Sequence, residues 1–205
     1  MSKTIKKPKS VTPTIPGSWN FHLDHVEFYA RVVGAFTKEE CEKIIAIGKN
    51  NGLIAGTITD DDPEHKIRES KISWLYPSDE TVWIYRRVTD IVLEINEKFF
   101  RFDIFGLNEG FQFTNYVAPG NKYGRHVDRC LNMGVRKLSL SIQLSDPEEY
   151  EGGDLCLYGN ETATPMDKKQ GTLIVFPSYT LHEVTPVTKG ERNSLVTWVT
   201  GKPFK

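Results

Sequence analysis

The sequence predicts an α+β protein, mainly β, in which a jelly roll of antiparallel strands carries N-terminal helices on the outer face of one sheet. Between residues 37 and 100, apolar residues recur every three or four positions, which is the period of amphipathic helices. From about residue 110 to residue 200 the period changes to two, and turns containing Gly and Pro separate most of the short segments. Such a series of short antiparallel strands is typical of a jelly roll.

The composition is that of a globular protein with one sizeable core. The 205 residues are 39% hydrophobic and 26% charged, and the formal net charge is −1 at pH 7. This charge disfavours nucleic acid as a partner, and the apolar runs are too short to span a bilayer. Cys41, Cys130 and Cys156 are odd in number and widely spaced, which favours a reducing compartment. We expect a cytoplasmic protein with no nucleic-acid or membrane partner, and we predict a monomer.

The chain is predicted to form one domain after an N-terminal tail. Residues 1–18 contain four Lys, three Pro and few large apolar side chains, so a flexible tail is expected there. A single domain should then occupy residues 19–205. The segment from Phe21 to Val33 alternates loosely and is expected to contain a strand.

The first helix is predicted from its capping residues. Thr37 and Glu40 have the spacing of a capping box, in which each side chain accepts a hydrogen bond from the other residue's main-chain N–H. Asn51-Gly52 is a typical helix end. The expected buried stripe of this helix consists of Cys41, Ile44, Ile45 and Gly48.

The second helix is predicted from one wide apolar face. It should follow a short strand at Lys71–Leu75 and run from about Asp79 to Phe100, with Ser78 as its N-cap. Its apolar residues are spaced by three and four positions, so one face needs a sheet to cover. They are Val82, Tyr85, Val88, Val92, Ile95 and Phe99.

Eight strands are predicted in the second half of the chain. One of them, Arg136–Ser145, alternates between leucines or isoleucine and polar residues. Its polar face either meets solvent or lines a wet pocket inside the roll, and we favour the pocket because the two helices need the leucine face. The predicted strands are about 111–117, 124–130, 136–145, 153–158, 162–168, 171–176, 180–187 and 193–200.

Candidate metal ligands lie on two of these strands. His126 and Asp128 are two residues apart, so in a strand their side chains point to the same face. His182 on a later strand could complete a set of two His and one carboxylate, the facial triad of non-haem iron oxygenases. Each part alone is weak evidence, since an isolated His in a strand is usually structural.

Arg192 strengthens the case for a site. It opens the last alternating strand, ten residues after His182. A buried Arg needs an anionic partner, and its planar fork suits a carboxylate. The alternative is a surface salt bridge, which the position of Arg192 at the start of an alternating strand disfavours.

Together these residues resemble the Fe(II)- and 2-oxoglutarate-dependent dioxygenases, specifically the prolyl 4-hydroxylase-like group that includes the oxygen-sensing prolyl hydroxylases. The likeness covers residues 66–200, and the stretch from Ile67 to Leu75 looks like the family's I-R-x-x-K-I-x-W strand. The resemblance implies a double-stranded β-helix, which is a jelly roll, with its core at about residues 110–200. The matching motif residues are Tyr116, Tyr123, His126, Asp128, Gly152, Gly153, His182 and Arg192.

The resemblance also implies the cofactors and their ligands. His126, Asp128 and His182 would hold Fe(II), and 2-oxoglutarate would bind the iron through its 1-carboxylate and 2-keto oxygen. Reaction with O2 would release succinate and carbon dioxide and hydroxylate a C–H bond of the substrate. Ascorbate is a candidate reductant.

The far carboxylate of 2-oxoglutarate would pair with Arg192, helped by Ser194 or Tyr116. Three positions depart from the family pattern. Gln143 replaces a Tyr that touches the cosubstrate in some relatives, and Val196 and Ser70 replace a Thr and an Asp of the oxygen sensors. The resemblance therefore does not imply that this protein acts on the protein substrate of the oxygen sensors. The expected pocket walls are Leu155, Phe176, Val184 and Trp198.

The leading functional hypothesis is hydroxylation of a prolyl residue in an extended segment of a protein or peptide. Lysyl, free amino-acid and nucleobase hydroxylation remain as alternatives, together with a non-catalytic jelly-roll binding module. The intact ligand set with Arg192 disfavours the non-catalytic module. The residues expected at the mouth, where they would contact the substrate, are Arg68, Tyr123, Arg129 and Arg136.

Overall fold

The computed structural model describes residues 25–56, 67–128 and 135–203, so the predicted tail lies outside the described residues. Two helices and fourteen strands form in these ranges. The helices are α1, Lys38–Asn50, and α2, Val82–Ile95, the second of which continues into a π-helical turn, Asn96–Phe100. The strands are β1 Ala30–Val32, β2 Ile54–Ala55, β3 Arg68–Glu69, β4 Lys71–Leu75, β5 Ile104–Leu107, β6 Phe111–Val117, β7 Lys122–His126, β8 Arg136–Gln143, β9 Tyr150–Gly152, β10 Leu155–Tyr158, β11 Ala163–Pro165, β12 Leu173–Pro177, β13 Leu181–Val184 and β14 Val187–Gly201.

The strands form two facing antiparallel sheets. Within the described ranges, the larger sheet has nine strands in the order β1-β12-β8-β14-β6-β4-β2, with β5 and β9 also paired to β14. The smaller sheet has five strands in the order β11-β10-β13-β7-β3. This is the jelly roll, or double-stranded β-helix, that the sequence predicts.

Strand β8 shows how the fold separates its core from its pocket. Leu138, Leu140 and Ile142 belong to the same apolar cluster as the buried residues of α1 and α2. On the opposite face, Ser139 and Ser141 line a cavity between the two sheets. The interpretation of the polar face as a pocket wall is therefore confirmed.

Helix α1 begins as predicted. Glu40 N–H donates to Thr37 Oγ1 at 3.3 Å and Thr37 N–H donates to Glu40 Oε2 at 2.9 Å, which is a complete capping box. Asn51 caps the other end through its main-chain N–H. The buried stripe contains Ile47, whereas Ile45 is only partly buried, because the helix turns its 41–44–48 line towards the sheet.

Helix α2 begins later than predicted. The Thr81 hydroxyl donates to Tyr76 O at 2.6 Å and accepts from Ser78 N–H at 3.0 Å. The helix begins at Val82 with Thr81 as its N-cap, so the predicted start at about Asp79, with Ser78 as the N-cap, was wrong. Of the predicted apolar face, Val88, Val92 and Ile95 are buried, and Tyr85 and Phe99 pack against the same cluster while partly exposed. Ile84 is buried in addition, whereas Val82 is only partly buried.

Most of the predicted strands are present, with differences at strand ends and additional strands. Strand β6 has the predicted bounds, whereas β7 ends at His126 instead of continuing to residue 130. The last strand begins at Val187, earlier than predicted, because it also pairs with the unpredicted β9. Strand β5, which pairs with the end of β14, was not predicted either. In the described part of the chain, none of the helices is long and apolar enough to cross a membrane.

Gly48 sets the distance between α1 and the larger sheet. A Cβ at this position would lie 2.3 Å from Phe113 Cγ. We predict that Gly48→Ala destabilises the protein by about 1–3 kcal/mol through overpacking, although Ala normally favours an exposed helix by about 1 kcal/mol over Gly. Urea unfolding measures the change. Ala46→Gly, at an exposed position of the same helix, is the control and should cost about 0.5–1 kcal/mol. A higher unfolding midpoint for Gly48→Ala would contradict the packing argument.

Candidate active site

The pairing of two strands brings the two candidate His ligands together. Strands β7 and β13 are antiparallel neighbours, and His126 lies directly opposite His182. Asp128 follows the end of β7. Its Oδ1 lies 3.6 Å from His126 Nε2, and its Oδ2 lies 3.4 Å from His182 Nε2. The three potential ligand atoms lie within 4.8 Å of one another.

Main-chain carbonyls orient both imidazoles. His126 Nδ1 lies 2.7 Å from Gly124 O, and His182 Nδ1 lies 2.9 Å from Thr180 O. A carbonyl oxygen can only accept, so Nδ1 carries the proton in each ring. Each Nε2 therefore directs a lone pair towards the Asp128 carboxylate and is available to a metal.

Asp128 reaches the site from outside the strand. Its main-chain N–H donates to Ser178 O at 3.0 Å, and Ser139 Oγ donates to its Oδ2 at 2.7 Å. These contacts replace the strand position that the sequence predicts. Burial raises the pKa of the Asp128 carboxyl, but interactions with the neighbouring His182 and His126 and the hydrogen bond from Ser139 outweigh burial and hold the pKa well below its usual range.

Burial has the opposite effect on His182. It lowers the pKa of this imidazole, although Asp128 raises it. The resulting site has a neutral imidazole and an ionised carboxylate, which are the forms that bind metals. Two imidazole nitrogens and one carboxylate on one side of a point fit a divalent metal such as Fe(II), with the remaining positions open to other ligands.

The candidate ligands lie in a cavity of about 400 Å³ between the two sheets. The cavity leads from the His and Asp side chains to Arg192, and apolar side chains form much of its wall. All the wall and anion-binding residues that the sequence suggests line this cavity: Tyr116, Leu155, Phe176, Val184, Arg192, Ser194 and Trp198.

Arg192 is a buried cation with neutral partners. Its side chain is among the most buried of the described residues, with 1% exposure. Its Nη2 donates to Gln143 Oε1 at 3.0 Å and its Nη1 to Ser194 Oγ at 3.4 Å, and the guanidinium lies 5.3 Å from the Tyr116 ring centre. Within the described ranges, its Nε has no hydrogen-bond partner. Such a group fits an anionic ligand that carries a carboxylate.

Other buried polar atoms support the same conclusion. Thr114 Oγ1 and Trp198 Nε1 line the cavity and, within the described part of the chain, have no hydrogen-bond partner. Unpaired buried polar atoms are rare in folded proteins. Their presence in the cavity wall fits a polar ligand in the cavity.

Gly153 leaves space for Arg192. A Cβ at this position would lie 2.9 Å from Arg192 Cδ, and the main chain has a φ of +62°. Both facts favour glycine here. This accounts for the second glycine of the Gly152-Gly153 pair.

The residues suggested for substrate contact lie partly inside the site. Arg68 is buried, where Nη2 donates to Gln112 Oε1 at 2.8 Å and the guanidinium lies 4.6 Å from the Tyr123 ring centre. Tyr123 stacks on His126 with ring centres 3.6 Å apart. Arg129 lies outside the described residues.

Arg136 lines the cavity and forms an ion pair with Glu109. Sequence reasoning missed Glu109, because an isolated Glu in a turn carries no periodic signal. It also missed the roles of Thr114 and Ser139. Ser139 lies on the polar face of β8 that was predicted to line a pocket, so that face was the available signal.

Comparison with known proteins gives the family. Residues 111–200 match the model of the 2OG-Fe(II) oxygenase superfamily. This part of the chain is similar to that superfamily. The chain is also 42% identical, over 88 residues, to a PKHD-type hydroxylase of Picosynechococcus sp., which corresponds to 42% of this chain and 40% of the relative. The chain thus spans about two fifths of the length of the curated relatives it matches.

Solved structures share the fold of this chain. A Pseudomonas putida prolyl-4-hydroxylase has a TM-score of 0.70 at 21% identity, covering 86% of this chain and 94% of that chain. A Trichoplax adhaerens prolyl hydroxylase in complex with a peptide fragment of the hypoxia inducible factor oxygen degradation domain has a TM-score of 0.72 at 20% identity, covering 85% and 84%. Both support the double-stranded β-helix.

The contact from Ser139 to Asp128 gives a prediction about metal binding. We expect Asp128→Ala to abolish Co(II) binding, because it removes the only charged ligand of the candidate set. Ser139→Ala should weaken binding by about 10- to 100-fold, the usual effect of losing a group that orients a ligand. Absorption titration with Co(II), as a substitute for Fe(II), measures both.

Ser141→Ala is the matched control for this prediction. Ser141 lies on the same face of the same strand and lines the cavity, but its hydroxyl makes no described contact with the triad. Its affinity for Co(II) should equal that of the wild type. Equal affinities in Ser139→Ala and Ser141→Ala would show that the Ser139 bond does not support a metal ligand.

Proposed function

We propose that the protein is an Fe(II)- and 2-oxoglutarate-dependent dioxygenase that hydroxylates a prolyl residue in a protein or peptide. The observation that carries this proposal is the presence of two complementary sites in one cavity. The triad of His126, Asp128 and His182 fits a divalent metal, and Arg192 provides a buried positive charge that its neighbours do not neutralise.

The proposed roles follow from where each side chain lies. The triad would hold Fe(II), and three protein ligands would leave room for 2-oxoglutarate and O2 to bind. Arg192 binds the far carboxylate, and Ser194 and Tyr116 adjoin its guanidinium. When bound, the iron supplies O2-dependent oxidation coupled to decarboxylation of 2-oxoglutarate, with ascorbate as a candidate reductant.

The protein residues position these groups and exclude water. Leu155, Phe176 and Val184 form an apolar wall between the triad and Arg192. A carboxylate next to Arg192 is therefore bound in a desolvated setting, where a charge-assisted pair is strong. The imidazole protons are held at Nδ1 by main-chain carbonyls, so neither ring needs to change its tautomer to bind metal.

The prolyl substrate is supported by the surface next to the cavity and by the relatives. Trp74 lines the cavity and stacks on Tyr76, which is 62% exposed. Exposed aromatic rings of this kind bind extended proline-containing segments in several domain families. Two proteins of the same fold are named prolyl hydroxylases, and one was solved with a peptide. Lysyl, free amino-acid and nucleobase hydroxylation are the alternatives.

Arg192 gives the test of the cosubstrate. We predict that Arg192→Ala raises the 2-oxoglutarate concentration needed for half-maximal turnover. The expected loss of binding free energy for 2-oxoglutarate is roughly 2–5 kcal/mol, because a charge-assisted bidentate pair is lost from a desolvated pocket. Arg192→Lys should be less damaging, because it keeps the charge but not the fork. Succinate formation measures turnover, and Co(II) titration should give wild-type metal affinity for both variants.

Arg31→Ala is the control for loss of an arginine. Arg31 is 52% exposed, pairs with Asp167 at 2.9 Å and does not line the cavity. It should leave the dependence on 2-oxoglutarate unchanged. An unchanged dependence in Arg192→Ala would mean that the carboxylate binds elsewhere.

The substrate class is tested by direct comparison. Proline-containing peptides and free L-proline are incubated separately with the enzyme, Fe(II), 2-oxoglutarate and O2. Mass spectrometry measures addition of one oxygen atom, and succinate is measured in parallel. We expect oxidation of peptides and little oxidation of free proline, because the far end of the cavity, with Arg192, is already assigned to the cosubstrate. Efficient hydroxylation of free proline with no peptide oxidised would refute the peptide substrate and leave the iron chemistry standing.

A further inference from the structure

Arg136 is held in place by an ion pair at the edge of the cavity. Its Nε donates to Glu109 Oε1 at 2.7 Å and its Nη2 to Glu109 Oε2 at 2.5 Å, so the pair is bidentate. The two side chains are only 12% and 18% exposed. A desolvated bidentate pair of this kind has a fixed geometry.

The same guanidinium makes two further contacts. Its Nη1 donates to the main-chain O of Asp128 at 3.2 Å, and its centre lies 3.7 Å from the centre of the Trp198 ring. All three nitrogens are therefore engaged, and one face of the guanidinium is covered. Arg136 thus connects Glu109 and Trp198 to the residue whose carboxylate completes the triad.

Asp128 needs such support because it lies beyond the end of β7. No strand pairing fixes its main chain, whose N–H instead donates to Ser178 O at 3.0 Å. The bond from Arg136 to its carbonyl fixes the next peptide group. With the peptide groups on both sides of Cα held, the side-chain torsions remain to be set, and the bond from Ser139 to Oδ2 restricts them.

We propose that Arg136, held by Glu109 and Trp198, is a positioning residue that fixes the metal-facing carboxylate of Asp128 through the main-chain carbonyl of that residue. This role rests on the proposed function, because it treats the triad as the metal site. It differs from the role that the sequence suggests for Arg136, which is contact with the substrate.

The contacts favour the positioning role over substrate contact. A substrate carbonyl would have to displace either Glu109 or the Asp128 carbonyl from the guanidinium. Releasing Glu109 would leave a largely buried carboxylate without its cation, which is costly. Releasing the Asp128 carbonyl would free the main chain at the triad at the moment when the substrate binds.

The test measures metal binding without any peptide. Arg136→Lys keeps the charge, but one ammonium cannot reproduce the fork that holds both Glu109 oxygens and the Asp128 carbonyl. Glu109→Gln keeps the shape and removes the charge that holds Arg136. Co(II) affinity is measured by absorption, and anaerobic Fe(II) affinity by competition with a chelator. We expect both variants to bind metal about 10- to 100-fold more weakly than the wild type.

Two further variants make the result specific. Arg31→Lys changes an arginine whose partner, Asp167, lies 2.9 Å away and outside the cavity, and it should bind metal as the wild type does. The double variant Glu109→Gln/Arg136→Lys should bind metal no more weakly than the weaker single variant, because the two residues act on Asp128 as one unit. Urea unfolding of each variant shows which are folded, and Glu109→Gln decides the question if Arg136→Lys is not.

The outcomes separate this role from the proposed function. Wild-type metal affinity in both single variants, with a raised KM for peptide in Arg136→Lys, would overturn the positioning role in favour of substrate contact. Absence of metal binding by the wild-type protein would refute the proposed function and this role together. Weakened metal binding in both variants, with Arg31→Lys unchanged, supports the role.

Discussion

The antiparallel register of β7 against β13 is the constraint on which the candidate site depends. It places His126 opposite His182 on the cavity side of the smaller sheet. A shift of this register by one residue would turn one imidazole to the other face of the sheet, and the three candidate ligands would no longer lie together. Strand β13 is held on its other edge as well, because it pairs there with β10, where His182 lies opposite Leu157. The two histidines are thus fixed by three strands, while the acidic ligand is fixed by side chains and one main-chain bond.

The cavity keeps two opposite charges apart. Asp128 lies at one end with the imidazoles, and Arg192 lies at the other with Gln143, Ser194 and an aromatic ring. If they met, they would form an internal ion pair and neither would be available. Because the partners of Arg192 are neutral, its charge stays uncompensated until an anion enters. That arrangement costs folding free energy and suits a ligand that is anionic at one end and offers metal-binding atoms at the other.

Periodicity and motif spacing were sufficient to predict most of the fold and several of the residues that line the central cavity. The alternation of β8 predicted both the core face and the pocket face, and the capping box predicted the start of α1. Failures occurred where hydrogen bonds outside regular helices and strands set the chain path. The Thr81 hydroxyl accepts from Ser78 N–H just before α2, and Asp128 N–H donates to Ser178 O beyond the end of β7. The support of Asp128 by Arg136 and Glu109 joins residues from two loops and one strand end, and no local pattern in the sequence marks such a contact.

The two ends of the site differ in how firmly the main chain is held, because β14 is paired on both sides and Asp128 lies outside the strands. Between Ser194 and Val196 this strand is hydrogen-bonded to β6 on one side and β8 on the other. Its amide hydrogens there can exchange with solvent only after β14 separates from β6 or β8. Opening the centre of the larger sheet in this way costs nearly as much free energy as complete unfolding. Asp128 belongs to no strand, and its amide opens with the turn. Local openings of the chain are therefore expected to affect the acidic end of the cavity before the end that contains Arg192. The two ends of one cavity then differ in how far the fold must open before their side chains move.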